Sequence, residues 1–143
     1  MTTHFSLEEL IQSDIALRQG IDNRPSKLVV DNLLILLAGL ESVRAILNQP
    51  MFITSGYRSP TLNRFIGGVS TSAHCLGYAA DFKCPQFGSP YAIVKAIKAS
   101  GIKYDQLINE GTWVHISFDR KLRQQTLTAN FVKGKAVYGE FRE

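Results

Sequence analysis

The chain has 143 residues, 45% hydrophobic and 20% charged, with a formal net charge of +4. That length fits one domain able to bury a core without disulfide staples, and the composition excludes fibrous and disordered classes. Two cysteines make no disulfide framework. The apolar stretch from Leu28 to Leu40 is too short to span a bilayer and contains Asp31 and Asn32, so no stable membrane insertion is expected. Met1 to Glu9 lacks the basic start and apolar core of a signal peptide, and synthesis in the cytoplasm without a signal is expected. Much of the positive charge lies late, at Lys121, Arg123, Lys133, Lys135 and Arg142. It suits a polyanion such as a bacterial wall, or a solvated face. No helix reads as a basic stripe interleaved with aromatics, so no nucleic-acid partner is expected.

In chain order, Ser6-Leu7-Glu8-Glu9 is a capping box that predicts a short helix from Leu7 to Asp14. Asp14 to Ser26, with Gly20, Asn23 and Pro25, reads as a loop. Lys27 to Leu47 is apolar at Leu28, Val29, Leu33, Leu34, Leu36, Leu37, Leu40, Val43, Ile46 and Leu47, which predicts a long central core helix, apolar over most of its surface. Met51 to Thr54 reads as a strand. Ser59-Pro60 opens a small helix that Gly67-Gly68 closes. Tyr78 to Lys83 reads as a strand, and Ser89-Pro90 opens a helix ending at Gly101. Asp105 to Asn109 and Trp113 to Phe118 read as strands joined around Glu110-Gly111. Beyond Arg120 the pattern weakens to one more hairpin or edge strand. The expectation is an α+β single domain spanning 1–143, with a small antiparallel sheet packed with helices.

Two polar islands carry the chemistry, Ser72 to Asp81 and Glu110 to His115. On the last clear strand Val114, Ile116 and Phe118 form an apolar face, which turns Trp113, His115 and Ser117 to the other side. Asp81 likewise opposes Tyr78, Ala80 and Phe82. If the two strands are neighbours, Asp81 and His115 point into one cleft. Gly77 permits the tight turn that would swing His74 over it. Two imidazoles and a carboxylate suit zinc and leave a coordination position open. Glu110 is then a candidate base. Spacing alone equally allows surface or core histidines and a turn-capping aspartate. Cys75 and Cys84 are competing ligands, but eight residues intervene between them, unlike a paired thiolate motif, and buried free thiols are expected. His4 is expected to be exposed and inert.

Ser55-Gly56-Tyr57-Arg58-Ser59, then Ser72-x-His74-x₆-Asp81, then Trp113-Val114-His115 resemble the zinc D-alanyl-D-alanine carboxypeptidase and murein endopeptidase family. That family includes phage endolysins and shares its metal site with the Hedgehog signalling domain. The openings Phe5 to Leu10 and Gly20 to Asn23 look like its small phage branch, and the resemblance covers roughly residues 5 to 118. It implies His74, Asp81 and His115 as zinc ligands in a groove on the sheet. It implies Arg58 beside the substrate, polarising the scissile carbonyl or gripping a carboxylate, where a strand-end salt bridge is the alternative. Ser72 and Trp113 become candidate substrate contacts, or a turn former and a core residue; Tyr57 reads as structural. Several members place the base three residues before the last histidine, which here is Thr112. Glu110 is the nearest carboxylate, an exposed turn residue otherwise. The implied function is a zinc peptidase, expected to be monomeric, acting on peptidoglycan stem peptides. It would be a phage or prophage endolysin reaching the wall from the cytoplasm after holin-mediated release. The alternatives are a D-Ala-D-Ala carboxypeptidase, or a non-catalytic zinc-containing binding or virion structural module.

Overall fold

The computed structural model describes residues 4–143. Its elements are α1 (Leu7–Ile11), α2 (Asp14–Gln19), α3 (Lys27–Leu47), β1 (Phe52–Ser55), α4 (Pro60–Phe65), a 3₁₀ turn (Ala73–Leu76), β2 (Ala79–Lys83), α5 (Pro90–Ala99), β3 (Gln106–Asn109), β4 (Val114–Ser117), β5 (Gln125–Val132) and β6 (Lys135–Glu140). The strands form one sheet in the order β1-β2-β4-β3-β5-β6. Its pairs are antiparallel except β3–β5, so the α+β expectation holds, with one parallel junction. No helix among the described residues is long and apolar enough to cross a membrane.

One face of the sheet makes the core. Ala80, Phe82, Leu107, Val114 and Ile116 are buried there with Ile93, Val94 and Ile97 of α5 and a stripe of α3 from Leu33 to Leu47. The α3 stripe follows the three-and-four spacing that a helix needs to bury one side. The helix is not apolar to the core all round, because Leu28, Leu34 and Ile35 remain exposed. Gly39 lets α3 approach the sheet, since a Cβ there would overlap the Phe118 ring.

The stretch after α1 differs from expectation. The first helix stops at Ile11, and Ser13 caps a second one by accepting from the Ala16 amide, with Gly20 left-handed at its end. Of α2 only Ala16 is buried, so its sequence carries no apolar stripe and reads as a loop. The tail forms a full hairpin, β5–β6, turned at Lys133 and Gly134, both at positive φ as a two-residue turn requires. His4 is exposed, and its Nδ1 lies 2.7 Å from Glu41 Oε1.

Candidate active site

The sheet's second face carries a polar groove. Antiparallel pairing sets Asp81 directly opposite His115, and opposed residues project to the same side. A register irregularity between Ile53 and Ser55 places Ser55 opposite Asp81 on the other flank. The sheet thus supplies two members of the group, and the 3₁₀ turn supplies the third. Gly77 ends that turn in the left-handed region at φ +80, packed so closely on α3 that a Cβ would lie 2.9 Å from the Val29 carbonyl oxygen. Asn32, buried on α3, donates to the Leu76 carbonyl at 2.9 Å. These contacts fix the turn so that the His74 and His115 rings meet edge-on, 5.2 Å between centroids.

His74 Nε2 lies 3.2 Å and His115 Nδ1 3.0 Å from the same oxygen, Asp81 Oδ1. One ligand atom from each residue falls within 4.8 Å of the others, a spread that one metal ion can bridge. The tautomer of His74 follows from its other nitrogen. Nδ1 lies 2.7 Å from the Gly56 carbonyl oxygen, which only accepts, so Nδ1 carries the proton and Nε2 presents a lone pair. Burial lowers the His74 pKa, with Asp81 opposing the fall, which favours the neutral imidazole that a metal site would need. Burial raises that of Asp81, but charge and hydrogen bonds from His74 and His115, when these rings are protonated, outweigh it and hold the carboxylate well below its ordinary range. Two neutral nitrogens and an anionic oxygen are a donor set that zinc accepts, so these residues fit the ion that the sequence implies.

The loop from Gly56 to Ser59 forms one wall. A buried side chain, Asn23, holds it: Nδ2 donates to the carbonyls of Ile11 at 2.7 Å and Tyr57 at 3.1 Å, and Oδ1 accepts from the Ser59 amide at 2.7 Å. Tyr57 is buried and its amide donates to the Leu10 carbonyl, which makes it structural. Arg58 Nη2 donates to Ser72 Oγ at 3.2 Å, and that hydroxyl also accepts from the His74 amide at 3.2 Å. Ser72 therefore forms the turn and contacts Arg58 at once. Among the described residues Arg58 Nε is buried without a hydrogen-bond partner. Burial lowers the Arg58 pKa, yet a guanidinium stays charged.

Arg58, Ser72, His74, Asp81, Glu110, Trp113 and His115 all line one groove of about 870 Å³. Glu110 is buried rather than an exposed turn residue, and burial raises its pKa, with His115 opposing the rise. Thr112, at the position where a base is sought by spacing, lines a separate cavity with Cys84 and Pro85. Trp113 borders both spaces. Neither thiol joins the metal group: Cys84 is buried with Sγ 3.8 Å from the Gln49 carbonyl oxygen, and Cys75 is half-buried rather than buried. The sequence reading missed the opposite wall, where Leu127, Lys135, Ala136 and Tyr138 of the hairpin line the groove. It missed Asn23 and the Gly56 carbonyl as well. A lone polar residue in a loop and a backbone oxygen leave no spacing signal.

No curated protein matches the chain. A family model described as Peptidase M15 matches residues 3–117, a stretch that holds Arg58, Ser72, Glu110 and the whole His–Asp–His group. The chain belongs to the peptidase M15 family and is a peptidase.

Proposed function

We propose that this peptidase is zinc-dependent and hydrolyses peptide bonds in peptidoglycan stem peptides, as an endolysin of a phage or prophage. The observation that carries the reading is the convergence of His74, Asp81 and His115 on the floor of a groove that also holds Glu110 and Arg58. His74, Asp81 and His115 would hold the zinc ion, which would supply Lewis acidity to the scissile carbonyl and to water. Glu110 takes the proton from the attacking water as its oxygen bonds to the carbonyl carbon. The C–N bond then breaks, and Glu110 returns the proton to the leaving amine. Burial raises the Glu110 pKa, the direction that suits a carboxylate acting as a base. Arg58 lines the groove, and its guanidinium would serve the developing oxyanion or a substrate carboxylate. Trp113 and Ser72 border the space where the peptide lies. The net charge of +4 suits an anionic wall as the site of action.

The test is metal analysis of the purified protein, with digestion of sacculi before and after chelation and mass spectrometry of the products. Release of longer peptides, lost on chelation and restored by zinc, supports the endopeptidase. Loss of single D-alanine residues would make it a D,D-carboxypeptidase, with Arg58 neutralising the terminal carboxylate. A zinc-loaded protein that leaves sacculi intact would make it a binding or virion structural module.

A further inference from the structure

The β5–β6 hairpin lies outside the stretch matched to the family, yet it completes the groove. Parallel pairing of β3 with β5 puts Ile108 beside Leu127, which continues the row that starts at Asp81 and His115. The antiparallel return sets Tyr138 opposite Ala129, two residues along β5 from Leu127 and so on the same face. Tyr138 thereby stands across the groove from Arg58 and Ser72. Its phenol donates to Glu110 Oε1 at 3.4 Å. Among the described residues that is the side-chain hydrogen bond given to the Glu110 carboxylate, while the Glu110 amide is held by the Trp113 carbonyl at 3.0 Å. A carboxylate that must face a water and then a leaving amine has two rotatable bonds beyond Cβ, and one fixed oxygen settles where the other points.

We propose that Tyr138 is a positioning residue for Glu110, and that through it the hairpin is part of the catalytic apparatus as well as the second wall of the substrate groove. The inference rests on the reading of Glu110 as the base. The phenol holds one carboxylate oxygen and leaves the second for proton transfer. Tyr138 stays half exposed where it lines the groove, which leaves its ring open to a substrate. Consistent with the contact, burial raises the phenol pKa and the Glu110 charge raises it further.

The experiment is a double-mutant cycle on the zinc-loaded protein with a soluble stem peptide, using Tyr138→Phe, Glu110→Gln and the pair. Tyr138→Phe keeps the ring and removes only the donor. It should lower kcat about fivefold with KM within about twofold, the loss expected for one hydrogen bond. Glu110→Gln should lower kcat about a hundredfold or more. The pair should be no slower than Glu110→Gln alone. Additive losses, or a full-speed Tyr138→Phe, would overturn the proposal and leave Glu110 as the base. A fast Glu110→Gln would overturn the base reading itself, and the proposal with it. A readout independent of turnover is the phenol titration in metal-free protein, isolated as the spectral difference between wild type and Tyr138→Phe. It should move to lower pH in Glu110→Gln; an unmoved titration would mean that the contact does not form.

Discussion

Asn23 offers the sharpest test of how the groove is held. Its side chain is 9% exposed and bonds three backbone groups: the Ile11 and Tyr57 carbonyls and the Ser59 amide. Truncation in Asn23→Ala leaves all three without that partner in a buried setting. Each lost bond costs about 1 kcal/mol net, so a loss of about 3 kcal/mol is expected. That is a large part of the stability of a domain this size. Urea unfolding followed by circular dichroism measures it, with the midpoint falling and the slope unchanged. Asn23→Asp keeps the acceptor for Ser59 but sets a buried carboxylate oxygen against the Ile11 and Tyr57 carbonyls, so at neutral pH it should be at least as destabilised as alanine. The same loop carries Arg58, and catalysis should weaken even where folding is complete. A loss below about 1 kcal/mol for Asn23→Ala would refute the argument, because water would then have to replace the side chain at no cost.

Gly77→Ala should cost about 2 kcal/mol and weaken zinc binding, since an alanine is strained at φ +80 and its Cβ would sit 3.0 Å from Val29 Cγ1; thermal unfolding and metal titration read the two effects. Zinc at about 100 times its dissociation constant should stabilise the wild type by about 2.7 kcal/mol and leave Asp81→Ala unmoved, a difference read by unfolding with and without metal. Asp105 is buried and accepts from Arg123 Nε at 2.9 Å and Nη2 at 2.8 Å, and these bonds hold its pKa below the ordinary value. A lowered folded-state pKa stabilises fully above the unfolded value and is lost as pH falls through the folded one. Asp105→Asn should therefore be less stable than wild type by about 1 kcal/mol at pH 7, discounted because Arg123 is half exposed, with the gap closing below about pH 4. A gap that stays constant on acidification would contradict the assignment.

That Asp81 and His115 share one face was legible from strand alternation, whereas spacing alone left surface or core histidines open and the family resemblance singled out the group of three. Apolar Ala80 and Phe82 forced Asp81 outward, apolar Val114 and Ile116 did the same to His115, and Gly77 marked the turn that brings in His74. The long helix was legible from its leucine stripe. What failed to read were elements with little buried surface. α2 buries one alanine, and β6 is exposed along most of its length, so neither carries an apolar period. The parallel seam between β3 and β5 also escapes pattern reading, since it depends on where the chain from Phe118 to Gln124 leads. Leu122 and Gln124 both take positive φ there, and the Gln124 amide donates to the Tyr104 carbonyl.

These two kinds of element divide the groove unequally. The wall with Arg58 and Ser72 is tied to buried Asn23, to α3 through Asn32 and Gly77, and to the His74 amide, so it moves only with the core. The hairpin wall has few buried apolar contacts, and exposed backbone pairing of that kind opens at low free energy. His74 belongs to the first wall, and Asp81 and His115 lie on paired strands of the floor beside it, where packing resists displacement. Tyr138 and Lys135 sit on the second, where a low cost of opening would let the chain yield to an entering peptide. Stiffening the hairpin, for example by a disulfide between its strands, should then slow substrate entry more than it alters zinc affinity. Parallel measurements of kcat/KM and metal binding distinguish the two, and an equal loss of both would place the hairpin in the rigid scaffold instead.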